Sequence, residues 1–108
     1  MLFFMNKRQL VRSNAVLQDL NEIAEYGRRY FSAETNQKFK NGLVHTLNIL
    51  CDFNMVLGTA RNDIKPNLLM FPYQRYNLYF YRTETQIILL RILRSEVDTL
   101  DPSNFPFF

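Results

Sequence analysis

Apolar residues recur every three or four positions through the first half of the chain and turn to alternation in the second half. Val16, Leu20, Ile23, Ala24, Gly27 and Phe31 fall on one side of a helical wheel, with Gln18, Asp19, Glu22, Glu25 and Arg29 opposite. This pattern predicts an amphipathic helix of about five turns. Ser13 and Asn14 stand just before it, and either can cap it by accepting a hydrogen bond from an unpaired N–H of the first turn. Ser32 can open a second helix whose apolar stripe is Phe39, Leu43, Leu47, Leu50 and Cys51, with Lys38, Asn41, Asn48 and Asp52 outward. A connection of one or two residues between two helices implies an antiparallel hairpin. Gly42 costs about 1 kcal/mol of helix propensity, so it is expected to serve a close approach between the two helices.

The flanking segments read as sheet. KRQLVRS (Lys7–Ser13) is a short first strand, and NMVLGTARNDIKPN (Asn54–Asn67), with Gly58 and Pro66, is a loop. LLMF (Leu68–Phe71) is a strand that stops at Pro72, and the aromatic run RYNLYFYR (Arg75–Arg82) is another. Its alternation puts Tyr76, Leu78, Phe80 and Arg82 on one face and Arg75, Asn77, Tyr79 and Tyr81 on the other. Thr83–Thr85 turns into QIILLRILR (Gln86–Arg94), apolar on both faces as an inner strand should be. Strict alternation there groups Ile87, Leu89 and Arg91 against Ile88, Leu90, Ile92 and Arg94. The element order β-α-α-β-β-β predicts an α+β, two-layer domain, its helical hairpin packed on one face of a small, mainly antiparallel sheet. Two helices cover one face only. The other, with Ile88, Leu90 and several arginines, is expected to stay open unless a partner docks there.

Composition narrows the class. The 108 residues are 47% hydrophobic and 21% charged, which fits one globular domain with tails at 1–6 and 101–108. The single cysteine, Cys51, has no partner for an internal disulfide and lies in an apolar helical stripe, so we read it as a small core residue in a reducing, cytoplasmic setting. The opening MLFF is too short for a signal-peptide core or a membrane span, so no membrane association is expected; Met5 fits a start as well as Met1. The net charge of +3 is unevenly placed: residues 14–57 carry 4 Lys or Arg and 5 Asp or Glu, whereas residues 61–94 carry 6 and 2. A basic second half suggests an acidic partner, protein or nucleic acid. The closing DPSNFPFF cannot continue a strand and is too apolar to stay solvated, so it is expected to pack on its own domain or on a partner.

Most catalytic chemistry lacks its residues. The lone His45 and lone Cys51 supply neither a nucleophile–base pair nor a transition-metal site, and Gly27, Gly42 and Gly58 are too scattered for a phosphate loop. No cofactor is expected. RNA cleavage by its own 2′-hydroxyl asks less of a protein: Arg75, Arg82, Arg91 and Arg94 can hold phosphate, and Tyr76, Tyr79 or Tyr81 can stack on bases or supply a proton. Arginine exchanges protons poorly, so a general base is missing from that set. The alternative is that the arginine stems cover the sheet while their heads reach water or pair with Glu84, Glu96 and Asp98.

Three segments resemble the ParE branch of the RelE/ParE toxins of bacterial type II toxin–antitoxin, or plasmid-stabilisation, modules. SNAVLQDLNEIAEY resembles the family's first helix at Ser13, Ala15, Asp19, Leu20, Ile23 and Tyr26. LGTARNDIKPNLLMFP resembles its loop at Gly58, Arg61, Pro66, Leu68, Phe71 and Pro72. RYNLYFYR and IILLRILRSEVD resemble its closing strands at Arg75, Tyr76, Tyr81, Arg82, Arg91, Leu93 and Asp98. Arg94 stands where the family usually has histidine, and Leu69 where it has a loop arginine. The resemblance implies a toxin that binds its target, DNA gyrase, without being an enzyme, and that a cognate ParD-like antitoxin neutralises in a hetero-oligomer. It implies target or antitoxin contacts through Arg61, Lys65, Arg75, Arg82, Ile88, Leu90, Arg91 and Arg94. The other branch would be a RelE-like ribosome-dependent mRNA endonuclease using Arg75, Arg82, Arg94 and Tyr81.

Overall fold

Ser13 decides where the first helix begins. In the computed structural model, which describes residues 7–105, its Oγ accepts from the Val16 amide at 3.1 Å and donates to the Leu90 carbonyl at 2.8 Å. Helix α1 (Asn14–Tyr30) is thus capped and tied to the sheet by one hydroxyl. Ser32 Oγ caps α2 (Ala33–Cys51) through the Thr35 amide at 3.1 Å, so only Phe31 and Ser32 separate the helices. Their close approach falls at Gly27, where a Cβ would lie 2.5 Å from Asn36 Oδ1. Gly42 instead faces the sheet: a Cβ there would lie 2.2 Å from the Tyr73 hydroxyl, which donates to the Phe39 carbonyl at 2.8 Å. The opening MLFF, Met5 and the last three residues of the tail lie outside the described residues.

The sheet has five strands: β1 (Gln9–Arg12), β2 (Thr59–Ala60), β3 (Leu69–Tyr73), β4 (Tyr76–Arg82) and β5 (Gln86–Arg94), in the order β1-β5-β4-β3-β2. β1 runs parallel to β5 and the other pairs are antiparallel. Two expectations shift in β3. The two-residue β2 lies inside the predicted loop, and β3 passes through Pro72. A missing N–H is tolerated at Pro72 because β2 pairs only with Leu69 and Met70, leaving that side of the strand without a neighbour. Gln74 takes φ 53° to close the tight β3–β4 turn, which moves Arg75 out of the strand and into the turn. Leu68 N–H bonds to the Lys65 carbonyl across Pro66 and Asn67, and Asn67 takes φ 67°, the left-handed residue that a turn with proline before it requires.

The helices lie on one face of the sheet. Val16, Leu43, Leu50, Cys51, Leu78, Phe80, Ile87, Leu89 and Ile92 form the main core, with Leu10, Leu20, Ile23, Phe39 and Leu47 packed against it. Ile92 belongs to this core because the β4–β5 register shifts between Tyr79 and Phe80: Tyr79 faces Arg91, Phe80 faces Leu89, and Leu90 is the extra residue. The bulge corrects the strict alternation. Ile92 joins Ile87 and Leu89, while Leu93 joins Ile88 and Leu90 on the far side.

The far face is not bare. Leu68, Tyr79, Leu90, Leu93 and Phe105 form a second core there, with Ile64, Met70, Tyr81, Ile88 and Val97 against it. Phe105, just after the 3₁₀ turn Pro102–Asn104, meets the Tyr79 ring edge-on at 5.3 Å. The described part of the tail therefore packs on its own domain.

Candidate functional site

The basic residues, several of which were expected on an open face, are distributed along the sheet. Arg91 is held inside: its Nε and Nη2 donate to the two oxygens of Asp19 at 2.9 and 2.8 Å, and its Nη1 donates to the Asn104 carbonyl. The bonds to Asp19 raise the guanidinium's pKa and keep it charged. Asp19, read as an outward residue, is only 5% exposed. β1 pairs with β5 only up to Leu89, and beyond that point Asp19 Oδ2 accepts the Ile92 amide at 2.9 Å in place of a strand. Helical periodicity assigns any carboxylate on this turn to solvent; the shortness of β1 relative to β5 is the signal that one must turn inward.

Arg75 and Arg94 lie together at one end of the sheet. Arg75 is exposed in the turn and accepts the Ser95 amide on its carbonyl. The Arg94 guanidinium stands 5.0 Å from the Tyr26 ring, with Glu96 at 3.6 Å, and the Tyr26 hydroxyl and Glu96 carboxylate raise its pKa. Tyr26 continues into an exposed aromatic group, its ring 4.7 Å from Tyr30 and 5.9 Å from Phe31. Glu22, Ile23, Tyr26, Tyr76, Arg94 and Val97 line a shallow groove of about 260 Å³ at this end, and burial pushes the Tyr76 phenol up.

Arg82 lies at the opposite end of β4, about 20 Å along the strand. Its Nη1 donates to the Leu57 carbonyl at 2.7 Å. Arg61 is bound bidentately to Asp63 at 2.9 and 2.8 Å and reaches Thr99 Oγ1 at 3.2 Å, tying the loop to the segment that leads into the tail; the pairing raises the arginine's pKa and lowers that of Asp63. Lys65 lines a groove of about 440 Å³ with Ile64, Thr99, Leu100 and Phe105, on the far face where Ile88 and Leu90 pack.

The set that RNA cleavage would need is not assembled. Arg75 and Arg94 stand at one end and Arg82 at the other, while Tyr81 points to the far face. His45 is exposed on α2. Among the described residues, no three His, Cys, Asp or Glu side chains group as metal ligands, and no helix is long and apolar enough to cross a membrane.

The fold superposes on a chain described as a chromosomal ParDE TA system from P. aeruginosa, with a TM-score of 0.70 and 19% identity over 85% of this chain and 100% of that one. The architecture is thus the same small α+β fold, two helices on a five-stranded mixed sheet. The family model described as the ParE toxin of type II toxin–antitoxin system, parDE, matches residues 10–98, and the chain belongs to that family. Comparison with curated proteins finds no match.

Proposed function

We propose that this ParE-family toxin arrests growth by binding DNA gyrase in the cytoplasm, without catalysing a reaction of its own, and that a cognate ParD-like antitoxin neutralises it in a toxin–antitoxin complex. The match to the ParE model over residues 10–98 carries this reading. The separation of Arg75 and Arg94 from Arg82 and Tyr81 supports a binding mode of action over RNA cleavage, which requires proton transfer and phosphate clamping at one point.

Induction of the protein without its antitoxin tests the reading. Growth arrest accompanied by a DNA-damage response and relaxed plasmid DNA is the expected result. Rapid mRNA cleavage with translational arrest would instead establish the RelE-like endonuclease activity. Arg75→Ala, which removes an exposed charge without a core contact, is expected to weaken arrest while soluble yield is unchanged.

A further inference from the structure

Arg8 was not singled out by its sequence context, yet it is the most unusually placed cation among the described residues. It stands one position before β1, and its Nε donates to the Thr83 carbonyl at 2.9 Å in the β4–β5 turn. Its guanidinium lies 4.9 Å from the Phe53 ring. Its Nη1 is buried without any acceptor, the one such side-chain atom among the described residues. A buried guanidinium N–H left unpaired is costly, so Arg8 is a cation that its own domain satisfies poorly.

Arg82 is close enough for its charge to act on Arg8. Burial first, and the Arg8 charge second, push the Arg82 guanidinium below its ordinary pKa. Among the described residues neither arginine has a carboxylate within 4.0 Å, whereas Arg28, Arg61, Arg91 and Arg94 each do. Two cations held together with no anion are a standing repulsion that one carboxylate would relieve.

The strip between them is apolar and open. Phe53 lies against Arg8, and the Leu57 carbonyl is bonded to Arg82, so residues 53–57 run from one arginine to the other. Along that strip Phe53 is 39% exposed, Met55 38% and Val56 73%. A phosphate backbone would satisfy the charges and leave these side chains in water. A peptide carboxylate flanked by aliphatic side chains satisfies both.

We propose that Arg8 and Arg82 form a receptor for a carboxylate side chain on an acidic segment of a protein partner, whose neighbouring aliphatic side chains cover Phe53, Met55 and Val56. Only the partner's identity, the antitoxin, rests on the function proposed above. The receptor itself rests on the two arginines and the strip between them.

The experiment is a fluorescence-anisotropy titration of the whole protein with an end-blocked, fluorescein-labelled decapeptide of alternating leucine and glutamate. Saturable binding is expected, weakened at least tenfold when glutamine replaces glutamate in the peptide, and equally by Arg8→Met or Arg82→Met. Because both arginines also hold the 53–57 segment, Val56→Asp supplies a second arm: it should weaken binding at least tenfold at an unchanged melting temperature. Absence of binding to the unmodified protein overturns the proposal, as does unchanged affinity in the arginine variants. Tighter, arginine-dependent binding of a fluorescein-labelled ten-nucleotide oligo(dT) overturns it in favour of a phosphate site. Each of these failures would leave the growth-arrest test intact, and an absence of growth arrest would leave the peptide result standing.

Discussion

Asp19 accepts two hydrogen bonds from the Arg91 guanidinium and a third from the Ile92 amide, so its removal strands a cation whose side chain is 16% exposed. Asp19→Ala should therefore lower unfolding stability by about 3–5 kcal/mol, the range for breaking a buried pair from one side. Urea denaturation checks this, and Asp19→Ala/Arg91→Met should recover part of the loss because the orphaned charge goes too. Strictly additive losses would contradict the pairing. Cys51 makes the opposite kind of prediction. It is 5% exposed, and burial raises its thiol pKa even though Lys7 and Arg8 pull the other way. Less thiolate is then present at neutral pH, and iodoacetamide should label Cys51 only as fast as the protein unfolds.

The contact between α2 and β3 depends on a missing side chain. A methyl at Gly42 would collide with the Tyr73 hydroxyl, so Gly42→Ala should destabilise by about 1–3 kcal/mol despite its better helix propensity. In a Tyr73→Phe background the obstructing oxygen is gone and only the tight ring carbons remain, so the same substitution should cost much less in thermal melts. Both helices were legible from their serine caps and apolar stripes, and β5 was legible end to end, because these are signals within one segment. What was not legible depends on two segments at once. Asp19 turns inward because β1 ends opposite Leu89; Ile92 changes face because β5 carries one more residue than β4 at the bulge; Gly42 meets Tyr73 from 31 residues away in sequence. The charged site failed in the same way. The arginines of β4 and β5 are visible as a group in sequence, but strand length and the bulge send them to separate places, and Arg8 enters only through tertiary contact.

At the scale of the molecule, the sheet is a layer covered on both faces and charged at its ends. The helices cover one face, and the loop with the C-terminal segment covers the other, with Phe105 5% exposed against Tyr79. The family match stops at residue 98, so this second cover includes residues beyond it. Phe105→Ala should cost about 3–5 kcal/mol in urea denaturation, and a negligible loss would contradict a second core on this face. The two ends remain exposed: the Tyr26–Tyr76–Arg94 groove beside Arg75, and the Arg8–Arg82 pair beside Phe53 and Val56. Binding at these ends would fit the proposed action by attachment to a larger machine. The most direct measurement is DNA supercoiling by purified gyrase with increasing amounts of this protein. Dose-dependent loss of supercoiled product, reversed by the antitoxin, is the predicted result; supercoiling that proceeds unchanged at a large excess of the protein would contradict it.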